Sequence, residues 1–145
     1  MGLDAVVYTH RNHLKIDIDS DSLQVDEETG EAFIADYNLA SNYPSANFIA
    51  AQCRLGNSSD IGYFSKAISN LFPDGTSLLL EKVLYSGSHC GDTLDLGELD
   101  QLEAEINLLK RQLDENRTVL LEQFIQSMTE LIQAARREGN PIVFV

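Results

Sequence analysis

The chain has 145 residues, room for one domain with a proper core and too little for two comfortable ones. Ten Lys plus Arg stand against 23 Asp plus Glu, a formal charge of −13 that repels both the phosphate backbone of nucleic acids and an anionic membrane surface. With no run of about 18 apolar residues to span a bilayer, the expected protein is soluble, with no nucleic acid and no membrane among its partners.

The first residues lack the basic start and long apolar core of a secretory signal. Gly2 meets one requirement for myristoylation, but Val6 stands where Ser or Thr is needed. A cytoplasmic location follows as the expectation, with Cys53 and Cys90 as two reduced thiols.

Residues 3–8 hold β-branched Val6 and Val7 and the aromatic Tyr8 and predict a buried strand. Residues 14–19 alternate apolar and polar, the pattern of a half-exposed strand. Residues 23–25 and 32–34 flank an acidic turn in which Gly30 can take positive φ, which predicts a hairpin. From 37 to 54 the periodicity is mixed: Tyr43, Pro44 and Ser45 form a turn, and residues 48–51 fit helix or strand equally. Ser58 or Ser59 then caps a helix carrying Ile61, Phe64, Ile68 and Leu71 at helical spacing, ending before Pro73. Residues 78–85 read as a short helix started by Thr76 or Ser77, or as a buried strand.

The clearest signal is late in the chain. Leu99, Leu102, Ile106, Leu109 and Leu113 recur at alternating steps of three and four, which places them on one helix face. Asp95 with Glu98 makes a capping box, and Glu98, Glu103 and Glu105 sit early, where the helix dipole favours acids. After the polar break 114–117, a second helix aligns Leu120 or Leu121 with Phe124, Met128, Leu131 and Ala135, and closes at Arg136, Arg137, Glu138 and Gly139. The first helix face is little more than two heptads long, which predicts a helical hairpin within the subunit and a homodimer. Residues 141–145 begin with Pro and are β-branched, a strand expected beside the first one. The fold class is α+β, one domain over residues 1–145. It is expected to hold a small antiparallel or mixed sheet of N-terminal strand, hairpin and C-terminal strand, packed against the helical hairpin and one or two further helices.

Chemistry concentrates in the loop Ser86, Gly87, Ser88, His89, Cys90, Gly91, Asp92. His89 near Asp92 can serve as an oriented base, and Cys90 beside it can be an activated thiol, which makes these three the catalytic candidates. Ser86, Gly87, Ser88 and Gly91 offer hydroxyls and approachable backbone amides to a ligand, with Arg54 as a cation for it. The alternative is a tight structural connection, with Cys90 as a small buried residue and His89 bonded to backbone, because Gly, Ser and Asp are also what turns require. His10 and His13, joined by His89, would make a metal site if the fold gathered them, but no Cys-x-x-Cys and no His-Glu-x-x-His supports one. Asp17, Asp19, Asp21 and Glu28 partly match a calcium loop, yet Ser22 stands where glycine is wanted and Gln24 where an apolar residue is usual. A solvated acidic edge that discourages sheet aggregation is the reading preferred here. No metal and no cofactor is expected, and the motifs of phosphate loops, dinucleotide folds, kinases and nucleophile elbows are missing.

Three stretches carry a resemblance: the opening Met1-Gly2-Leu3-Asp4-Ala5-Val6-Val7-Tyr8, the loop Ser86-Gly87-Ser88-His89-Cys90-Gly91-Asp92, and the ending Gly139-Asn140-Pro141-Ile142-Val143-Phe144. Together they resemble an uncharacterised family of small bacterial proteins, cyanobacterial ones included. The resemblance spans the domain, implies a bacterial cytoplasmic protein, and brings no functional residues with it. The function expected from the residues is a small acidic protein-interaction module, of the kind that inhibits a basic partner or confers immunity to a toxin. The alternative is an enzyme or a small-ligand or metal-binding protein with its site at loop 86–92.

Overall fold

The structure, a computed structural model, describes residues 2–112 and 118–145. It is an α+β fold, with one four-stranded antiparallel sheet and one two-stranded sheet. In chain order the elements are β1 (Gly2–Tyr8), β2 (Leu23–Val25), β3 (Ala32–Ile34), the single turn α1 (Tyr37–Ala40), β4 (Ile49–Asn57), α2 (Ser58–Ser69), β5 (Thr93–Leu94), α3 (Leu99–Gln112), α4 (Val119–Glu138) and β6 (Ile142–Phe144). The large sheet runs β4-β1-β6-β5. β1 sits inside because both of its faces are apolar: Leu3, Ala5 and Val7 enter the main core, while Val6 is buried opposite its cross-strand partner Val143.

The last strand pairs beside the first, as its composition predicts. The hairpin β2–β3 forms too, with Gly30 at φ 77° in its turn, but it makes a sheet of its own. Its expected place in the main sheet belongs to β4, the segment whose periodicity is mixed. β4 lies along the whole of β1 with two register shifts, and those irregularities blur the alternation that marks a strand. Residues 14–19 form no ladder. Leu14, Ile16 and Ile18 are half-buried against Ala32, Ile34 and Phe48, so their period of two reports a buried face without a partner strand.

This second cluster makes a small lobe, tied to the main unit by Asn140. The Asn140 amide donates to the carbonyls of Tyr8 at 2.8 Å and Gly30 at 3.4 Å. A Cβ at Gly30 would lie 2.2 Å from Asn140 Oδ1, so the close approach and the positive φ both demand glycine.

α2 starts one residue earlier than its serines suggest. Asn57 accepts from the Asp60 amide at 2.8 Å and Asp60 accepts from the Asn57 amide at 3.0 Å, a complete capping box. Residues 78–83 are helical, with a wide turn at Leu79–Val83 closed by Leu84 N–H to the Leu79 carbonyl at 2.7 Å. The start of that turn rests on Glu105, a buried carboxylate. It accepts from Ser77 Oγ at 2.6 Å, from the amides of Leu78 and Leu79 at 2.9 and 3.2 Å, and from Gln101 at 3.2 Å.

Asp95 and Glu98 form the predicted box ahead of α3. Leu99, Leu102, Ile106 and Leu109 are all buried in the main core, whereas Leu113 and the break 114–117 lie outside the described residues. α4 is capped by Thr118 and uses Leu121, not the exposed Leu120, on its inner face. Gly139, at φ 67°, ends it as a left-handed cap. Arg136 reaches back to Asp100 at 2.7 Å and Glu103 at 2.6 Å, so the end of α4 lies beside the start of α3 in an antiparallel hairpin. Burying each leucine of α3 contributes about 1.5–3 kcal/mol, while exposed ion pairs add little, so the apolar face sets this pairing. That face is therefore used inside the subunit. Among the described residues, no helix is long and apolar enough to cross a membrane.

Candidate functional site

Loop 86–92 joins the wide turn to β5. Gly91, at φ 97°, donates its amide to the Phe144 carbonyl at 2.8 Å, and Phe144 donates to the Asp92 carbonyl at 2.9 Å, which fixes the loop to β6. At its other end Gly87 lies against α2, where a Cβ would meet Ser58 Oγ at 2.9 Å. Ser86 Oγ bonds within the loop, to the Ser88 carbonyl at 3.0 Å.

His89 is buried. Its ring stacks on Tyr85 at 4.6 Å and tilts against Phe144 at 4.3 Å. Nε2 lies 2.9 Å from the Val83 carbonyl, which can only accept, so Nε2 carries a hydrogen. Nδ1 lies 3.2 Å from Asp92 Oδ2 without the alignment of a hydrogen bond, and has no other partner. Asp92 itself is exposed and also accepts from the Tyr85 hydroxyl. That bond, ahead of a small burial effect and the nearby charge, pushes the Tyr85 phenol above its ordinary value.

Cys90 is exposed, not buried as the structural reading of the loop expects, because its neighbour His89 takes the inward position and adjacent side chains diverge. Arg54 is elsewhere: it stands on β4, at the opposite edge of the sheet from β5, paired with Asp4 at 3.3 Å. Gly91 and Asp92 line one open cleft beside the loop, with Glu81, Lys82, Tyr85 and Thr93, where Lys82 is committed to Glu98, and Ser86 and Gly87 line another against Ser58, Ser65 and Lys66 of α2.

A different pair lies at the far end of α4. Glu138, the last residue of that helix, is buried where the dipole disfavours an acid, so its carboxylate depends on donors. The His10 amide reaches Oε1 at 3.2 Å, His13 Nδ1 lies 3.2 and 3.1 Å from the two oxygens, and Arg137 Nε reaches Oε2 at 3.3 Å. Burial alone would raise the Glu138 carboxyl. The His10 amide, the His13 imidazole and the Arg137 guanidinium outweigh it and hold the group below the ordinary carboxylate value. A carboxylate only accepts, so His13 Nδ1 carries its hydrogen and Nε2 is left without a partner among the described residues.

His10 differs: its Nδ1 accepts from the Asn12 amide at 3.1 Å, and its ring lies 5.4 Å from that of His13. Thus His10 and His13 come together at Glu138, while His89 is held by Val83 and Asp92. Among the described residues, no group of three His, Cys, Asp or Glu side chains is placed to hold a metal ion.

The other thiol, Cys53, lies 3.7 Å from Glu130, and burial, then the Glu130 charge, push it above its ordinary value. A raised thiol disfavours the thiolate that a nucleophile needs. Sequence reasoning missed Glu138, Arg137 and Lys15 as site residues. The signal that could have found Glu138 is an acid in the last turn of a helix, a position that needs an explanation.

Fold and geometry define an α+β protein with two carboxylate–histidine pairs, one built from a local loop and one across the domain. Comparison with family models, with curated protein sequences and with solved structures gives no match.

Proposed function

We propose that this chain is a small protein-binding module of a bacterial cytoplasm that receives a basic protein partner on its acidic lobe, as an inhibitor or immunity-type protein does. The observation that carries the reading is the segregation of charge. Residues 17–36 contain eight carboxylates and no Lys or Arg, and all but Glu31 are exposed. Glu31 registers the crowding: burial and then the neighbouring Asp26 raise its carboxyl above the ordinary value. Partner cations relieve such repulsion and speed encounter. The same lobe exposes Val25, Phe33 and Tyr37, apolar and aromatic anchors of the type that fill partner pockets.

The test is capture from a bacterial lysate at low and high salt, beside a variant with Asp17, Asp19, Asp21 and Asp26 changed to Asn. A partner recovered at low salt, released at high salt and lost by the variant is the expected result. Equal recovery by both proteins, or no salt-sensitive partner, would contradict it.

A further inference from the structure

The cleft beside Glu138 offers a second, unrelated recognition chemistry. We propose that it binds a small oxyanion group, a phosphate or a carboxylate, through Lys15, Arg137 and His13. The cleft is open, has a volume of about 620 Å³, and is lined by those three residues with Thr9, Asn47 and Glu138. That is the size of an ordinary small-molecule site.

Charge argues for an anion. Lys15 and Arg137 are two fixed cations against the single carboxylate of Glu138, so the lining keeps one uncompensated positive charge before His13 is counted. In a protein of formal charge −13 this is a reversal of the prevailing sign. Lys15 has no ion-pair partner among the described residues, and Arg137 engages Glu138 only through Nε, which leaves its two terminal nitrogens for a forked contact.

Glu138 does not spoil the site. Both of its oxygens are covered, Oε1 by the His10 amide and His13, and Oε2 by His13 and Arg137. Its effect is positional: it holds the His13 ring through Nδ1 and the Arg137 guanidinium through Nε, so the groups that face a ligand are fixed before it arrives. Thr9 and Asn47 add a hydroxyl and an amide, donors for the remaining oxygens. The same lining counts against a metal, since two fixed cations face the cleft and would repel one.

The experiment is an NMR titration of the whole chain with inorganic phosphate and, separately, with acetate, each at constant ionic strength against chloride. Saturable shifts of the Thr9, His13 and Asn47 signals with either anion support the site, and the anion that saturates at lower concentration names its class. Lys15→Gln and Arg137→Gln each weaken that binding by about tenfold or more, as loss of a charge-assisted contact requires. Both side chains are exposed, and a single cooperative melting transition confirms that the variants are folded. Lys66→Gln, an exposed cation on α2, leaves it unchanged. No saturable shift at millimolar anion, or an equal loss in Lys66→Gln, overturns the proposal. Neither result bears on the acidic lobe.

Discussion

His89 and His13 each stand about 3 Å from a carboxylate, yet the two pairs divide burial in opposite ways. The His89 side chain is 3% exposed and Asp92 51%, whereas His13 is 50% exposed and Glu138 5%. In the first pair the imidazole is the buried member, stacked on Tyr85 and tilted against Phe144, and the acid stands at the surface. In the second the acid is the buried member and aims an imidazole whose other nitrogen has no partner among the described residues. A side chain that is buried and bonded contributes to folding, and one that is held at its base but open at its tip is available for recognition.

Four substitutions separate the pairs. The largest effect is expected at His89: His89→Ala removes two ring contacts and leaves the Val83 carbonyl without its donor, at a cost of about 3 kcal/mol and several degrees of melting temperature. A thermal melt matching the wild type would remove the structural role of the loop.

Glu138→Gln comes next, at about 1–2 kcal/mol near neutral pH, because charge-assisted bonds to a buried acceptor are lost. Its pH dependence is specific. The folded carboxyl titrates below its unfolded value of 4.5, so its contribution is present above that value and is lost as pH falls through the folded one. Denaturant melts of wild type and variant therefore converge as pH drops below 4.5, and a gap independent of pH would contradict the pairing.

Asp92→Ala is milder, less than about 1 kcal/mol, since the acid is half-exposed and its pair is screened. The same variant lets the Tyr85 phenol return toward its ordinary value of 10.0, a change that ultraviolet titration reads directly. His13→Gln is expected to cost less than Glu138→Gln, about 1 kcal/mol or below, because the Gln amide can still donate to the buried carboxylate, while weakening phosphate or acetate binding in the cleft. A large loss of stability there would move His13 into the structural class.

How much of this was legible in the sequence follows the range of the interactions. The α3 and α4 faces, the Asp95 and Glu98 cap, the left-handed end at Gly139 and the β2–β3 turn are local signals, and they appear where residue spacing puts them. β4 was not legible, because a strand with register shifts on a two-faced partner shows no clean alternation. Glu105 reads as an ordinary early-helix acid. Its burial depends on Ser77, Leu78 and Leu79, brought to it by tertiary packing. The candidate sites divide in the same manner. His89 and Asp92 are neighbours in sequence and easy to single out, whereas His10 and His13 lie more than a hundred positions along the chain from Glu138. Density of reactive residues marked the loop that the fold uses to fix β5 and β6, whereas His13 stood out in the sequence only as a partner for a metal and not for Glu138.

Burial is inverted between the two pairs, and chemical modification of histidine by diethyl pyrocarbonate at neutral pH, followed residue by residue by mass spectrometry, reads that inversion. Rapid modification of His13 at Nε2 and protection of His89 until the protein unfolds are expected. Modification of His89 in the folded chain at the rate of His13, or protection of His13, would contradict the inversion.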